Sequence, residues 1–219
     1  MKKFIIATFI ILSCIIVNAQ TCSWLSGLQE GSTWENTLTN AKSEKERTTS
    51  YIVENIDKQA EKTVILTKYS SINKKGKEDD NGFIAYTIAK DKYLIDLETS
   101  VPGYKSDDPQ LMTYNCNAKA NDQIAAVRFV STYTTESMGQ KSIISNKMEI
   151  TDGKYLGMEE VTTALGTMQC MKLTYNLRYD LQDFTYTEWV NDEKGFVKRE
   201  ILDKKGKPAY TLELTTFKN

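Results

Sequence analysis

From Thr33 onward the chain alternates between apolar and polar positions. Met171, Leu173, Tyr175 and Leu177 share one face of an extended segment, and Lys172, Thr174 and Asn176 share the other. Phe184, Tyr186 and Val190 oppose Thr185, Thr187 and Trp189 in the next segment. Tyr210, Leu212 and Leu214 repeat the pattern near the C-terminus, and Val64 and Leu66 oppose Thr63, Ile65 and Tyr69. Period two with Thr, Tyr and β-branched enrichment is the signature of a strand. It predicts strands at 33–40, 48–56, 62–71, 83–90, 92–98, 124–134, 142–151, 155–164, 168–179, 183–191, 195–203 and 208–217. Five turn signals punctuate them: Lys74-Lys75-Gly76-Lys77, Asn81-Gly82, Asp152-Gly153, Glu193-Lys194-Gly195 and Lys204-Lys205-Gly206-Lys207. Each offers a glycine where a tight hairpin needs positive φ.

Two features break this rhythm. Ile52, Val53 and Ile56 do not alternate, and Ile84, Tyr86 and Ile88 stand opposite Phe83 and Ala85. Strands apolar on both faces are covered on both sides. Thr99 to Asp122 shows no alternation. Within it, Asp108-Pro109 is a helix-start signal, predicting a short helix from Pro109 to Tyr114. The expected fold is all-β: an antiparallel meander of about 10 to 12 strands forming a strongly curved sheet, half-barrel or open barrel. One short helix and the 99–122 segment are expected to cover its opening.

The N-terminal segment reads differently. Lys2 and Lys3 precede a mostly apolar run from Phe4 to Val17, and Val17-Asn18-Ala19 supplies a cleavage pattern. That is a signal peptide over 1–19, too short for a spanning helix, and 20–219 is expected to form a single β domain. Ile11-Leu12-Ser13-Cys14 loosely resembles a lipidation box, but the apolar run continues past it; Ala19-Gln20-Thr21-Cys22 matches less well. The expected location is the periplasm or the exterior, with no transmembrane segment in the mature chain.

Composition then narrows the chemistry. Histidine is absent from all 219 positions. This excludes Ser-His-Asp and Cys-His sites and His-ligated zinc. Without Lys2 and Lys3 the chain has 26 basic residues against 29 acidic ones, a net charge of −3. No basic face for nucleic acid is expected from such a balance. Cys22, Cys116 and Cys170 remain after cleavage, enough for one disulfide with any of three pairings.

Carboxylates are the remaining catalytic option. Glu159 and Glu160 are adjacent, so a strand points them to opposite faces. Asp180, Asp183 and Glu188 cluster near a turn, but a chain with 29 acids always offers such groups. Glu78-Asp79-Asp80-Asn81-Gly82 is acid-rich, lacks the spacing of a calcium loop, and reads as a solvated hairpin tip. Trp24, Trp34, Trp189 and the tyrosines suit core and cross-strand pairs, and Met148, Met158, Met168 and Met171 suit gap-filling. No catalytic, cofactor-binding or metal site is expected, and the chain is expected not to be an enzyme.

Several stretches together resemble a known family. They are Cys22-Ser23-Trp24, Glu30-Gly31-Ser32-Thr33-Trp34, Lys74 to Lys77, Tyr93-Leu94-Ile95-Asp96, Glu160 to Cys170, Glu188-Trp189 and Lys194 to Lys198. The chain is similar to the TapB-like group of exported bacterial proteins, a domain of unknown function. The resemblance implies an all-β exported domain with no established catalytic residue. The family pattern has a cysteine near the end of the fourth strand, where this chain has Ala89-Lys90, so either Cys116 substitutes or a partner cysteine is free. Cys170 alternates with Lys172 and Thr174 on the more polar face, which points to a Cys22–Cys116 bridge with Cys170 free. The expected role is a non-catalytic module binding a lipid or other apolar or amphipathic ligand. The alternative is a structural or protein-interaction component of the envelope.

Overall fold

Alternating sequence becomes alternating burial wherever two strands pair. In the segment Thr63–Asn73, Ile65, Thr67, Tyr69 and Ser71 are buried, while Lys68 and Ile72 are exposed. A computed structural model describes residues 22–25, 27–96, 111–137 and 140–219. It contains thirteen strands. These are β1 (Thr33–Asn40), β2 (Lys45–Lys58), β3 (Thr63–Asn73), β4 (Glu78–Ala89), β5 (Lys92–Asp96), β6 (Leu111–Asn115) and β7 (Gln123–Ile124). They continue with β8 (Val127–Ser137), β9 (Gln140–Thr163), β10 (Gly166–Tyr179), β11 (Gln182–Asn191), β12 (Gly195–Asp203) and β13 (Pro208–Lys218).

All pairings are antiparallel, in the order β6-β5-β4-β3-β2-β1-β13-β12-β11-β10-β9-β7, with β8 also on β9. The chain therefore starts in the middle of the sheet and meanders outward to β6. It then crosses to the opposite edge and meanders back, until β13 lies beside β1. The result is an antiparallel, nearly closed barrel with one seam, between β6 and the β7–β9 edge. At that seam the Asn115 N–H donates to the Tyr155 hydroxyl (2.6 Å). The connection from β6 to β7 is held to β9 by Asn121 N–H to Tyr155 O (2.8 Å) and Tyr155 N–H to Asp122 O (3.0 Å).

Three expectations need correction. The helix at 109–114 is not formed over its described part. Residues 109 and 110 lie outside the described residues, and Leu111–Asn115 is strand β6, with Met112 and Tyr114 buried and Leu111 exposed. Pairing with β5 overrides the local capping signal. Among the described residues there is no helix, hence none long and apolar enough to cross a membrane. Of the expected cover at 99–122, residues 99–110 also lie outside the described residues.

The second correction concerns two of the turn signals. Gly76, Gly195 and Gly206 do turn hairpins with positive φ. Asp152-Gly153 instead lies inside the 24-residue β9, where Asp152 takes φ 54° and the register with β10 shifts. Gly153 is needed there because a Cβ would sit 2.7 Å from the Ile124 Cβ on β7. Asn81-Gly82 lies inside β4, and the Tyr69 ring covers Gly82. In both cases the glycine admits a close neighbour rather than a turn.

Third, the strands apolar on both faces are not covered on both. Ile52 and Val53 are neighbours in continuous register on β2 and point to opposite faces, Val53 buried and Ile52 exposed. Phe83 is exposed likewise. The outer face thus carries apolar residues without a second layer over them.

One end of the barrel is plugged by the segment before β1. Cys22, Trp24, Leu25 and Leu28 are all buried. Trp24 packs on Tyr93 and Tyr114 with centroids 5.3 and 5.8 Å away, and its indole N–H donates to Asp192 (3.2 Å). Cys22 and Cys116 are bonded, with Cα atoms 5.3 Å apart. Their N–H groups donate to Lys90 O and Asp91 O, each at 2.7 Å. The bridge therefore lies beside the turn between β4 and β5.

Cys170 is a thiol and fully buried. It keeps the side of Lys172. That side also carries Trp189 on β11, paired with Lys172 and flanked by the Lys172 and Lys198 ammoniums 5.0 Å from its ring. The lysine stems and the indole cover the surface there. Burial, followed by the charges of Asp192 and Glu159, pushes the thiol up to about 11. Non-reducing peptide mapping of the mature protein should return Cys22 joined to Cys116. Cys170 should alkylate only after unfolding, and a bridge containing Cys170 would refute this arrangement. Loss of the bridge through Cys22→Ser with Cys116→Ser should cost about 2–4 kcal/mol in chemical denaturation.

Candidate functional site: an aromatic lumen with a buried ion pair

Inward positions of ten strands enclose a cavity of about 330 Å³. Its aromatic wall includes Trp34, Tyr51, Tyr86, Tyr93, Tyr186 and Phe196. These rings contact in sequence: Trp34 stacks on Tyr51 at 5.1 Å, Tyr86 on Tyr93 at 5.7 Å, and Tyr175 on Tyr186 at 5.3 Å. Cross-strand register produces the row, since Trp34 faces Tyr51 and Tyr51 faces Tyr69. Ile84, Ile95, Met112, Ile150 and Leu177 fill the gaps between rings. A wider concavity of about 590 Å³ lies across β13, β1, β2 and β3, lined by Trp34, Tyr51, Ile52 and Tyr69 together with Glu35, Glu54 and Lys68. It holds no fully buried charged group such as the lumen has in Glu188.

The lumen has one polar centre. Glu188 is fully buried. Its Oε1 accepts the Tyr175 hydroxyl (2.8 Å) and the Arg199 Nε–H (2.5 Å), and its Oε2 accepts the Tyr114 hydroxyl (3.2 Å). Both carboxylate oxygens are therefore engaged. Register explains the meeting: Glu188 pairs with Leu173 on β10 and with Arg199 on β12, so all three project to one side. The Arg199 guanidinium lies 5.4 and 5.5 Å from the Tyr186 and Phe196 rings, within cation–π range. Its side chain keeps 27% of its surface accessible, and that surface faces the cavity. Burial opposes the arginine's charge, but Glu188 and the neighbouring phenols outweigh it and hold Arg199 above its ordinary range.

The other carboxylates stand apart from this centre. Asp180 accepts the Lys147 N–H (2.8 Å), and Asp183 pairs with Arg178 (2.7 Å). Both belong to the β10–β11 hairpin, and five residues of strand separate Asp183 from Glu188, roughly 17 Å. Glu159 pairs with Lys172 (2.8 Å), while Glu160 meets Gln169 (3.5 Å). Glu78–Gly82 begins β4 rather than forming a hairpin tip. Asp79 pairs there with Arg47 (3.1 Å), Asp80 accepts from Tyr69 (3.4 Å), and Asn81 donates to Glu78 (2.6 Å). Among the described residues no group of three or more acids and cysteines could hold a metal. Met158 is exposed, whereas Met148, Met168 and Met171 pack against the core.

Sequence reasoning grouped Glu188 with exposed acids and missed Arg199. The signal was present for both. Glu188 falls between Tyr186 and Val190 on the apolar face, and Arg199 falls between Val197 and Ile201 on its own parity. A charged residue on the inward parity of a strand needs a partner, and adjacent strands each had one.

Truncating one member leaves the other charged and dry. Arg199→Met should cost about 3–5 kcal/mol by urea denaturation, because Glu188 loses its counter-charge. Adding Glu188→Gln should recover most of that loss, since Gln still accepts from Tyr175. If the single variant is as stable as wild type, the pair is not buried as described.

The phenols report the same burial. Desolvation holds Tyr86, Tyr93, Tyr114 and Tyr175 above the ordinary tyrosine range, with the Glu188 charge adding for Tyr114 and Tyr175. Tyr155 is pushed up to about 12. A phenol whose folded pKa exceeds its unfolded value of about 10 favours the folded state fully below that pH. The contribution declines as pH rises toward the folded value. Absorbance at 295 nm should therefore rise in a cooperative step coinciding with loss of near-ultraviolet dichroism. Ionisation of all 12 tyrosines with the fold intact would contradict the lumen.

Two solved structures share this architecture. A candidate lipoprotein from Parabacteroides distasonis superposes with a TM-score of 0.69 at 21% identity, covering 90% of this chain and 99% of its own. A candidate exported protein with a YmcC-like fold from Bacteroides fragilis gives 0.69 at 14% identity, covering 87% and 97%. At these identities the likeness shows the fold. No curated protein matches. Residues 29–214 match the DUF3108-like family model, so with most of its length inside that match the chain belongs to the DUF3108-like family.

Proposed function

We propose that this chain is an exported, non-catalytic binding protein whose lumen holds a small apolar or amphipathic ligand. The observation that carries this reading is the lumen itself, an apolar, aromatic-walled cavity with one convergent polar centre. Small-molecule sites have that composition. The absence of histidine and the engagement of both Glu188 oxygens by donors argue for binding rather than turnover. The basic-apolar-small pattern of residues 1–19 supports export with cleavage after Ala19, to the periplasm or beyond. The candidate lipoprotein and exported protein of similar fold agree with an envelope location. Within the DUF3108-like family, the stretches Glu160 to Cys170 and Lys194 to Lys198 favour a TapB-like subgroup.

A second reading, a protein-interaction role, has its own observation. Ile52 and Phe83 flank Lys68 on the outer face of β2–β4, both well exposed. Residues 140–146 of β9 pair with β8 and not with β10, extending a two-stranded arm past the end of β10. At about 3.3 Å per residue that arm is about 23 Å long. Light scattering and mass spectrometry of an organic extract from natively purified protein separate the two readings. A monomer with one equivalent of an extracted amphiphile is expected. An empty protein in a defined oligomer would favour the interaction role and defeat the binding role.

A further inference from the structure

We infer that the lumen's ligand is a single-chain amphiphile with an anionic oxygen head group, a carboxylate, seated on the terminal nitrogens of Arg199. This rests on the reading of the lumen as a binding site and specifies its chemistry. Arginine carries five N–H donors in a planar fork. Among the described hydrogen bonds Arg199 spends its Nε–H on Glu188, and the accessible part of its side chain faces the cavity. Glu188 already accepts from Tyr175, Tyr114 and Arg199, three of the roughly four acceptor sites of a carboxylate, so it offers a ligand little. It acts as a positioning residue that fixes the guanidinium plane. The Tyr186 and Phe196 rings hold that plane from the sides.

The wall is consequently rich in donors. Its charged groups are Arg199, Lys194 and, behind Arg199, Glu188. The Lys194 ammonium is paired with Glu193 at 3.7 Å and lies over the Phe217 ring. The charged group with accessible donors facing the cavity is therefore Arg199. A cationic head group meets repulsion there, and a hydroxyl matches only part of the fork. A carboxylate accepts two parallel N–H bonds from a guanidinium and balances the charge. The remaining lining, including Ile84, Ile95, Met112, Ile150 and Leu177, accommodates an alkyl chain. A volume of about 330 Å³ stands near the lower end of small-molecule sites, roughly 300–1,000 Å³. One short chain fits that size better than a diacyl lipid.

Calorimetric titration of the delipidated mature chain with decanoate, decanol and acetate tests this. Decanoate should bind at least about tenfold more tightly than decanol, a difference of about 1.4 kcal/mol, and acetate should not bind at millimolar concentration. In the Glu188→Gln/Arg199→Met double variant, verified as folded by near-ultraviolet dichroism, decanoate should fall to the level of decanol. Arg199→Lys, which keeps the charge and loses the fork, should fall between the two. Equal binding of decanoate and decanol by wild type, or a decanoate preference that survives in the double variant, overturns the head-group assignment and leaves the lumen as an apolar site. Acetate binding as tightly as decanoate makes the site one for a free oxyanion and overturns the amphiphile. Binding of none of the three overturns the head-group assignment. If the native organic extract is also empty, the lumen reading fails with it.

Discussion

The ladder between β1 and β13 is the contact on which the barrel depends. It joins Thr33 to Lys218 and Asn40 to Tyr210, residues at opposite ends of the folded chain. Without it the two meanders would be separate open sheets, each exposing one apolar face. With it they form one surface that curls until β6 approaches the β7–β9 edge. Pairings of such sequence separation are slow to form, because loop-closure entropy is lost before the contacts compensate. The Cys22–Cys116 bridge and the Trp24 plug act at the same end of the barrel, tying the start of the chain to the seam strand.

Closure also explains why the interior is polar at one point. A barrel of this size leaves a lumen that side chains must fill. Aromatic rings fill most of it, and their hydroxyls need partners when buried. Glu188 collects two of those hydroxyls together with Arg199. An apolar replacement of the whole cluster would often be no less stable, so stability alone does not account for its presence. Placement at the wall of the cavity, with an arginine partly open to it, is what connects this cluster to the proposed binding role.

Strand identity was legible from period two alone. β3, β10, β11 and β13 fall where alternation placed strands, and β3 buries one face as the pleat requires. Cys170 in β10 and Trp189 in β11 are buried on the other face, and Tyr210 in β13 is exposed. The hairpin turns at Gly76 and Gly206 were equally legible; the preceding Asn73 and Asp203, whose side chains accept the loop N–H groups, emerged only from the structure. Failures occurred where a neighbour distant in sequence decided the outcome. Gly153 and Gly82 look like turn glycines, yet they are there to admit Ile124 and Tyr69. Leu111 to Tyr114 carry a helix-start signal, yet β5 recruits them as a strand.

The amino-acid sequence by itself determined the fold class and the exclusion of histidine chemistry, because both follow from local periodicity and composition. It also carried the export pattern of its first 19 residues as an expectation. It held the parity that sends Glu188 and Arg199 inward, but not their meeting. Only the tertiary structure decided that meeting, since it depends on the β11–β12 register, on the bulge between Trp189 and Val190, and on closure around a common axis. Those are long-range quantities: a register slip of one residue would move every inward side chain to the outer face, and nothing local in the chain records which register wins.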